Sequence, residues 1–228
     1  EQADRDRALR QRESPQSAGP AASPALEVEP AKPVTFPRPP SDSASRVDDH
    51  VVSLVAPETF EAEQYRALRH TVEQLHKTRD LRIVAVSSPG VGDGKSLTAI
   101  NLAGALAQAP DARVLLVDAD LRRPSVASLL ALGGSDGPGL VNLILDPTLT
   151  LERVARPRPP FNLSVILAGQ VVPSPYEVLK SPRLGELLEE ARRRYDYIVV
   201  DAPPLCPVQD CRVIAHWVDG FLLVVAAH

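Results

Sequence analysis

Between Leu81 and Arg123 the chain runs through a short apolar stretch, a glycine-rich loop, an alanine- and leucine-rich stretch and a second apolar stretch, in that order. Few folds accommodate this. Leu81–Val86 is apolar and β-branched, of a length that predicts a buried strand. The loop that follows carries Gly90, Gly92 and Gly94, and Lys95-Ser96 opens a segment that reads as a helix. Val114–Val117 predicts a second buried strand. Further strands are expected at Leu163–Leu167, Tyr197–Val200 and Phe221–Ala226. Helices are expected at Gly139–Leu145, at Leu149–Val154, from a Ser181 cap to about Arg194, and from about Val208 to Val218. Strands alternating with helices predict an α/β fold, a mostly parallel sheet with helices on both faces.

The loop has its own chemistry. Glycines let a backbone turn its N–H groups inward with no Cβ in the way, and a helix N-terminus adds partial positive charge. Gly90, Val91, Gly92, Asp93, Gly94, Lys95, Ser96 and Leu97 would thus cradle a di- or triphosphate. Lys95 would reach the outer phosphates and the Ser96 hydroxyl would ligate Mg²⁺. Pro89 stands where the usual pattern has its first glycine, so the loop is a variant P-loop and the fold that of a P-loop NTPase.

Acidic strand ends sharpen the expectation. Asp118-Ala119-Asp120 follows the second strand, and alternation places both carboxylates on one side. Asp201, followed by Ala-Pro-Pro, ends the strand Tyr197–Val200. In an open α/β sheet the carboxyl edge is where ligands bind. Capping a helix could occupy Asp120 or Asp201 singly, but not all three.

At this point the residues resemble a family. SSPGVGDGKS, VLLVDADLRRP and YIVVDAPP are similar to the Walker A, A′ and B motifs of the bacterial tyrosine kinases, autokinases of capsule and exopolysaccharide export. Glu63-Gln-Tyr-Arg66-Ala-Leu-Arg69 matches that family's E-x-x-R-x-x-R oligomerisation motif, and the resemblance covers about residues 57 to 226. It implies phosphoryl transfer from Mg²⁺–ATP to a protein tyrosine, with Lys95 and Asp118 catalytic and Ser96, Asp120 and Asp201 serving the metal, the aspartates mostly through water. Asp118 is the candidate to accept the tyrosine proton. The resemblance also implies a ring-like homo-oligomer built through Glu63, Arg66 and Arg69. Its expected partner is a membrane polysaccharide co-polymerase or chain-length determinant, fused or separate, at the cytoplasmic face of the inner membrane. Family members usually continue with a further helix, a strand and a tyrosine-rich tail, which would hold adenine contacts and acceptor tyrosines.

Composition bounds the rest. The 228 residues are 44% hydrophobic and 24% charged, which suits one globular domain with extra chain. A net charge of −4 speaks against general nucleic-acid binding. Cys206, Cys211 and His216 lack the fourth ligand and the spacing of a zinc site. No apolar run reaches the roughly 18 residues of a bilayer span, and with no methionine the sequence is expected to be part of a longer one. Residues 1–50 are rich in proline, alanine and serine without apolar periodicity, and are expected to form a disordered linker, with the kinase domain at 51–228. Arg5, Arg7, Arg10 and Arg12 could meet an anionic membrane surface, although Asp4 and Asp6 weaken that patch. A helix over Thr59–Thr78 is expected, with Thr59 as its N-cap and Tyr65, Leu68, Val72 and Leu75 as its buried stripe.

Two other functions use the same motifs. A partitioning or septum-positioning ATPase shares the variant loop but carries a lysine four residues before the last loop glycine, where this chain has Gly90. A nucleotide-gated assembly protein without kinase activity would keep the motifs for binding alone.

Overall fold

The computed structural model describes residues 46–133 and 137–226. A short helix and a long one come first: α1 (Val52–Val55) and α2 (Phe60–Arg79). The core follows as β1 (Ile83–Ser87), α3 (Lys95–Leu106), β2 (Val114–Asp118), α4 (Val126–Leu129), α5 (Leu140–Leu145) and α6 (Leu151–Val154). It continues through β3 (Arg156–Pro157), β4 (Leu163–Ile166), α7 (Pro175–Leu179), α8 (Pro182–Arg192), β5 (Tyr197–Asp201), α9 (Asp210–Ile214) and β6 (Gly220–Leu223).

The strands form one sheet in the order β3-β4-β2-β5-β1-β6, parallel throughout except where β3 meets β4. Side-chain alternation divides each central strand between two cores. Ile83, Ala85, Leu115, Val117, Ile198 and Val200 face a core shared with α5, α6, α8 and α9. Val84, Val86, Val114, Leu116 and Val199 face the other, filled by Ile100, Leu102, Ala103 and Leu106 of α3 and by Val72 of α2. Both faces are covered, so these strands read as unbroken apolar runs. Each fully buried Val, Leu or Ile contributes about 1.5–3 kcal/mol relative to exposure.

Helix α2 begins where expected. The Thr59 hydroxyl accepts the Ala62 N–H at 3.3 Å, and Asp80 ends the helix in a left-handed conformation. Ser181 likewise accepts the Arg183 N–H ahead of Pro182 at the start of α8. Gly185 lets α8 lie on Trp217, because a Cβ there would overlap the indole ring.

Several boundaries differ from expectation. The helix foreseen over 208–218 is regular only across Asp210–Ile214. Its continuation tightens, with His216 and Trp217 N–H groups donating three residues back to Val213 and Ile214 carbonyls. The last strand runs from Gly220 to Leu223, as long as its partner β1 can pair with it. Helix α6 starts at Leu151 rather than Leu149 because Asp146 caps a turn on Thr148. The edge strand β3 and the short helices α1, α4 and α7 carried no periodicity long enough to announce them.

The linker expected over residues 1–50 and its arginine patch lie, up to residue 45, outside the described residues. Just before Val51, the Asp48 N–H donates to the Leu129 carbonyl at 2.9 Å and Val47 packs against the core. No helix among the described residues is long and apolar enough to cross a membrane.

Candidate active site

The sheet delivers the site because β1, β2 and β5 are adjacent and parallel, so their carboxyl ends lie side by side. Asp118 and Asp201 are direct neighbours in register. The loop after β1 then crosses in front of them and enters α3.

Gly92 and Gly94 adopt φ angles of +91° and +89°, which only glycine takes without strain, and a Cβ on either would meet nothing within 4 Å. Space in front of the loop backbone is therefore open. In this arrangement the Asp93 carboxylate accepts the Gly90 N–H at 2.8 Å, and the Ser88 hydroxyl donates to the Gly90 carbonyl at 2.6 Å. Val91 points outward and Leu97 packs into the α3 side of the core.

Lys95 is the centre of the cluster. It is only 8% exposed, and its Nζ donates to Asp120 Oδ2 at 2.8 Å, to Asp201 Oδ1 at 3.1 Å and to Ser96 Oγ at 3.0 Å. Burial alone would push the Lys95 ammonium down, but Asp201 and Asp120 outweigh it and hold it above its ordinary value. The sequence motifs at three separated places thus converge on one amine.

The carboxylates are fully enclosed. Asp118, Asp120 and Asp201 are 0%, 2% and 0% exposed. Burial pushes the Asp201 carboxyl up to about 6, with the Lys95 charge and the nearby Ser96 hydroxyl pulling against it. Asp118 is raised well above the ordinary carboxylate range, first by burial and then by the charges of Asp201 and Asp120. Its Oδ2 accepts the Val126 N–H at 3.2 Å. Asp118 Oδ1 and Asp201 Oδ2 have no hydrogen-bond partner.

Those two orphaned oxygens and the open glycine cradle suit a bound cation and a polyphosphate. Unsatisfied buried carboxylate oxygens are costly and call for a cation or hydrated ion. Among the described residues no group of three or more His, Cys, Asp and Glu is arranged to hold a metal by itself. A Mg²⁺ ion ordinarily shares its shell between one or two carboxylates, waters and substrate phosphates, so this donor set suits it.

The residues matching the oligomerisation motif divide into two groups. Glu63 and Arg66 pair with each other at 2.6 Å on the surface of α2, and Arg66 also donates to the Pro57 carbonyl. Arg69 instead turns inward. Its Nε meets Glu73 at 2.6 Å and its Nη1 donates to the Ala105 carbonyl at 3.0 Å, in the last turn of α3. A cation there also complements the helix dipole, so Arg69 fastens α2 to the domain.

One pair was missed from the sequence. Arg122 and Asp210 lie 88 residues apart, and the Arg122 Nε and Nη2 donate to the two Asp210 oxygens at 2.7 and 3.0 Å. An acid in the short polar stretch Val208–Arg212 carries no local signal for such a bond. A cavity of about 540 Å³ beside the pair is lined by Tyr176, Pro207 and Arg212 among others. Another, of about 430 Å³, opens at the amino ends of the strands near Phe161 and Tyr195, away from the phosphate loop.

Comparison with known proteins places the chain in a family. A family model described as an AAA domain matches residues 81–214. Over 80% of this chain and 76% of the relative, it is 34% identical to tyrosine-protein kinase YwqD of Bacillus subtilis. It is 32% identical to the succinoglycan biosynthesis transport protein ExoP of Rhizobium meliloti, over 75% of this chain but only 22% of that protein. The kinase domain of the Escherichia coli tyrosine kinase ETK superposes with a TM-score of 0.69 at 31% identity, covering 76% of this chain and 67% of that one. The septum site-determining protein MinD of Pyrococcus horikoshii shares the fold, with a TM-score of 0.52 at 24% identity over 63% of this chain and 57% of that one.

Proposed function

The chain belongs to the bacterial tyrosine-kinase family, and from that premise we propose that it transfers the γ-phosphoryl group of Mg²⁺–ATP to protein tyrosines. The observation that carries the reading is Lys95, held by Asp120 and Asp201 at the head of α3 behind an open glycine loop.

In this reading the N–H groups of Gly90–Ser96 bind the phosphates, and Asp93 releases the Gly90 N–H to do so. Lys95 trades its carboxylate partners for β/γ-phosphate oxygens, a point charge moved by a small rotation of its flexible stem. Ser96 Oγ, with Asp120 and Asp201 largely through water, would hold Mg²⁺, whose contribution is to neutralise charge on the phosphates. Asp118 orients the acceptor hydroxyl and takes its proton. A tyrosine hydroxyl has a pKa near 10, which an ordinary carboxylate abstracts poorly. Burial of Asp118 narrows that gap. Most of the rate enhancement still comes from positioning, because the transition state is loose.

The biological setting proposed is control of capsule or exopolysaccharide assembly and export, at the cytoplasmic face of the inner membrane. Support comes from the name of ExoP, a biosynthesis and transport protein many times longer than the matched segment. The partner would be a membrane polysaccharide co-polymerase, fused or separate, and the kinase a ring-like homo-oligomer. Glu63 and Arg66, exposed on α2, are available to a neighbouring copy, whereas Arg69 is engaged within its own domain. Loss of phosphotyrosine formation on Asp118→Asn substitution, with nucleotide binding intact, is the test of this mechanism. An ATPase that turned over nucleotide without ever phosphorylating tyrosine would contradict it.

A further inference from the structure

The Arg122–Asp210 pair has no part in the mechanism above, yet it is built as carefully as the site itself. Asp210 is 1% exposed, at the start of a helix only five residues long. Both its oxygens are taken by one guanidinium in a bidentate fork. Arg122 stands two residues after Asp120 and is itself partly exposed beside the 540 Å³ cavity. Its neighbour Arg123 donates its N–H to the Asp120 carboxylate Oδ1 at 3.0 Å and to the Asp120 carbonyl at 3.1 Å. The other oxygen of Asp120 holds Lys95 at 2.8 Å. An unbroken chain of contacts therefore runs from Asp210 through Arg122 and the 120–123 turn to the catalytic lysine. The near end of that chain is the loop; the far end is anchored on the segment that follows β5.

We propose that Arg122 and Asp210 are positioning residues, a clamp that fixes the turn after β2 so that Asp120 keeps its place beside Lys95 and the Mg²⁺ site and Asp118 its place at the acceptor hydroxyl. This rests on the kinase reading of the site. A carboxylate buried for stability alone is a poor device, since an ion pair removed from water gains little net free energy. Its geometric specificity is another matter, because a bidentate guanidinium fixes both distance and plane. Outer-shell partners of this kind are worth about 10–100-fold in activity when removed, and a misplacement of about 1 Å at a reacting group is enough to produce such a loss.

The test uses Asp210→Asn and Arg122→Lys in the full chain, with Asp210→Glu as a fallback should Asn prevent folding. Three quantities are read: steady-state transfer to tyrosine, affinity for a fluorescent ATP analogue, and amide hydrogen exchange across residues 119–123. The clamp predicts that kcat falls about 10–100-fold while nucleotide affinity and KM for ATP stay within about twofold. Exchange at 119–123 should accelerate while β2 and β5 stay protected, and Arg122→Lys should retain more activity than Asp210→Asn. Unchanged kcat overturns the clamp. So does a parallel fall of nucleotide affinity and thermal stability, which marks the pair as structural support only. If the unmodified protein transfers nothing to tyrosine, the kinase reading fails separately. The exchange measurement then decides the clamp alone, faster exchange supporting it and unchanged exchange overturning it.

Discussion

Replacing Asp201 by Asn measures how much stability the site costs the fold. Burial holds the Asp201 carboxyl at about 6, against 3.8 when free. A native pKa above the unfolded one means that the native state takes up a proton between those values which the unfolded chain does not. The group therefore costs nothing below about pH 4, its penalty grows as pH rises towards 6, and above 6 it is fully present. A difference of about 2 pH units at about 1.4 kcal/mol each comes to about 3 kcal/mol. Asp118, raised by burial and by its acidic neighbours, adds a penalty of the same sign. Surface acids pull the other way: His50, Arg82, Thr148 and Arg113 hold Asp48, Asp80, Asp146 and Asp196 below their ordinary values, so they favour folding as pH rises. Comparing wild type with Asp201→Asn cancels those. Asn keeps the shape, and Lys95 keeps Asp120. Urea unfolding followed by circular dichroism from pH 4 to pH 7.5 should show the variant gaining about 3 kcal/mol on wild type across the series. A difference curve that is flat, or that slopes the other way, refutes the assignment of Asp201 as a strained carboxylate.

The other expectations follow from single contacts. Lys95→Met should abolish turnover and weaken ATP binding in a filter or fluorescence assay, and the apo variant should be destabilised by about 3–5 kcal/mol near neutral pH, because it leaves buried carboxylates unpaired. Asp120→Asn and Asp201→Asn should be far from additive in kcat, since both serve Lys95 and one metal. Arg69→Ala should lower thermal stability by about 1–2 kcal/mol and speed exchange in α2, by removing the bond to the Ala105 carbonyl. Arg66→Ala, at an exposed pair, should cost about 0.5 kcal/mol or less in the monomer but shift the assembly measured by light scattering if α2 is the docking face. Gly185→Ala should destabilise by about 1–3 kcal/mol through overlap with Trp217.

Strands and caps were legible because their signals are local. Ile83–Ser87 and Val114–Asp118 are buried on both faces, so composition alone marks them. Thr59 and Ser181 act within three residues of themselves. The phosphate loop was equally readable, since Gly92, Gly94, Lys95 and Ser96 are consecutive or nearly so. That Asp118, Asp120 and Asp201 share one edge was readable too, because a parallel sheet puts its carboxyl ends on one side, whereas their meeting at Lys95 depends on β2, β5 and β1 being neighbours. What stayed hidden depends on distant partners. Arg122 looks like any surface arginine until Asp210 is placed beside it, and Arg69 looks like part of an exposed stripe until α3 supplies the Ala105 carbonyl. The edge strand Arg156–Pro157 is too short for any periodicity, and α9 shortens because the His216 and Trp217 N–H groups turn to carbonyls three residues back.

The central claim is that this site moves phosphate to tyrosine. It is tested most directly by incubating the longest natural form of the protein with Mg²⁺–ATP and mapping phosphotyrosine by mass spectrometry, alongside Lys95→Met and Asp118→Asn. The account predicts phosphotyrosine in the unsubstituted protein, none with Lys95→Met, and near-complete loss with Asp118→Asn although that variant still binds ATP. Steady ATP hydrolysis with no phosphotyrosine in any form, or equal phosphorylation of the Asp118→Asn protein, would contradict it.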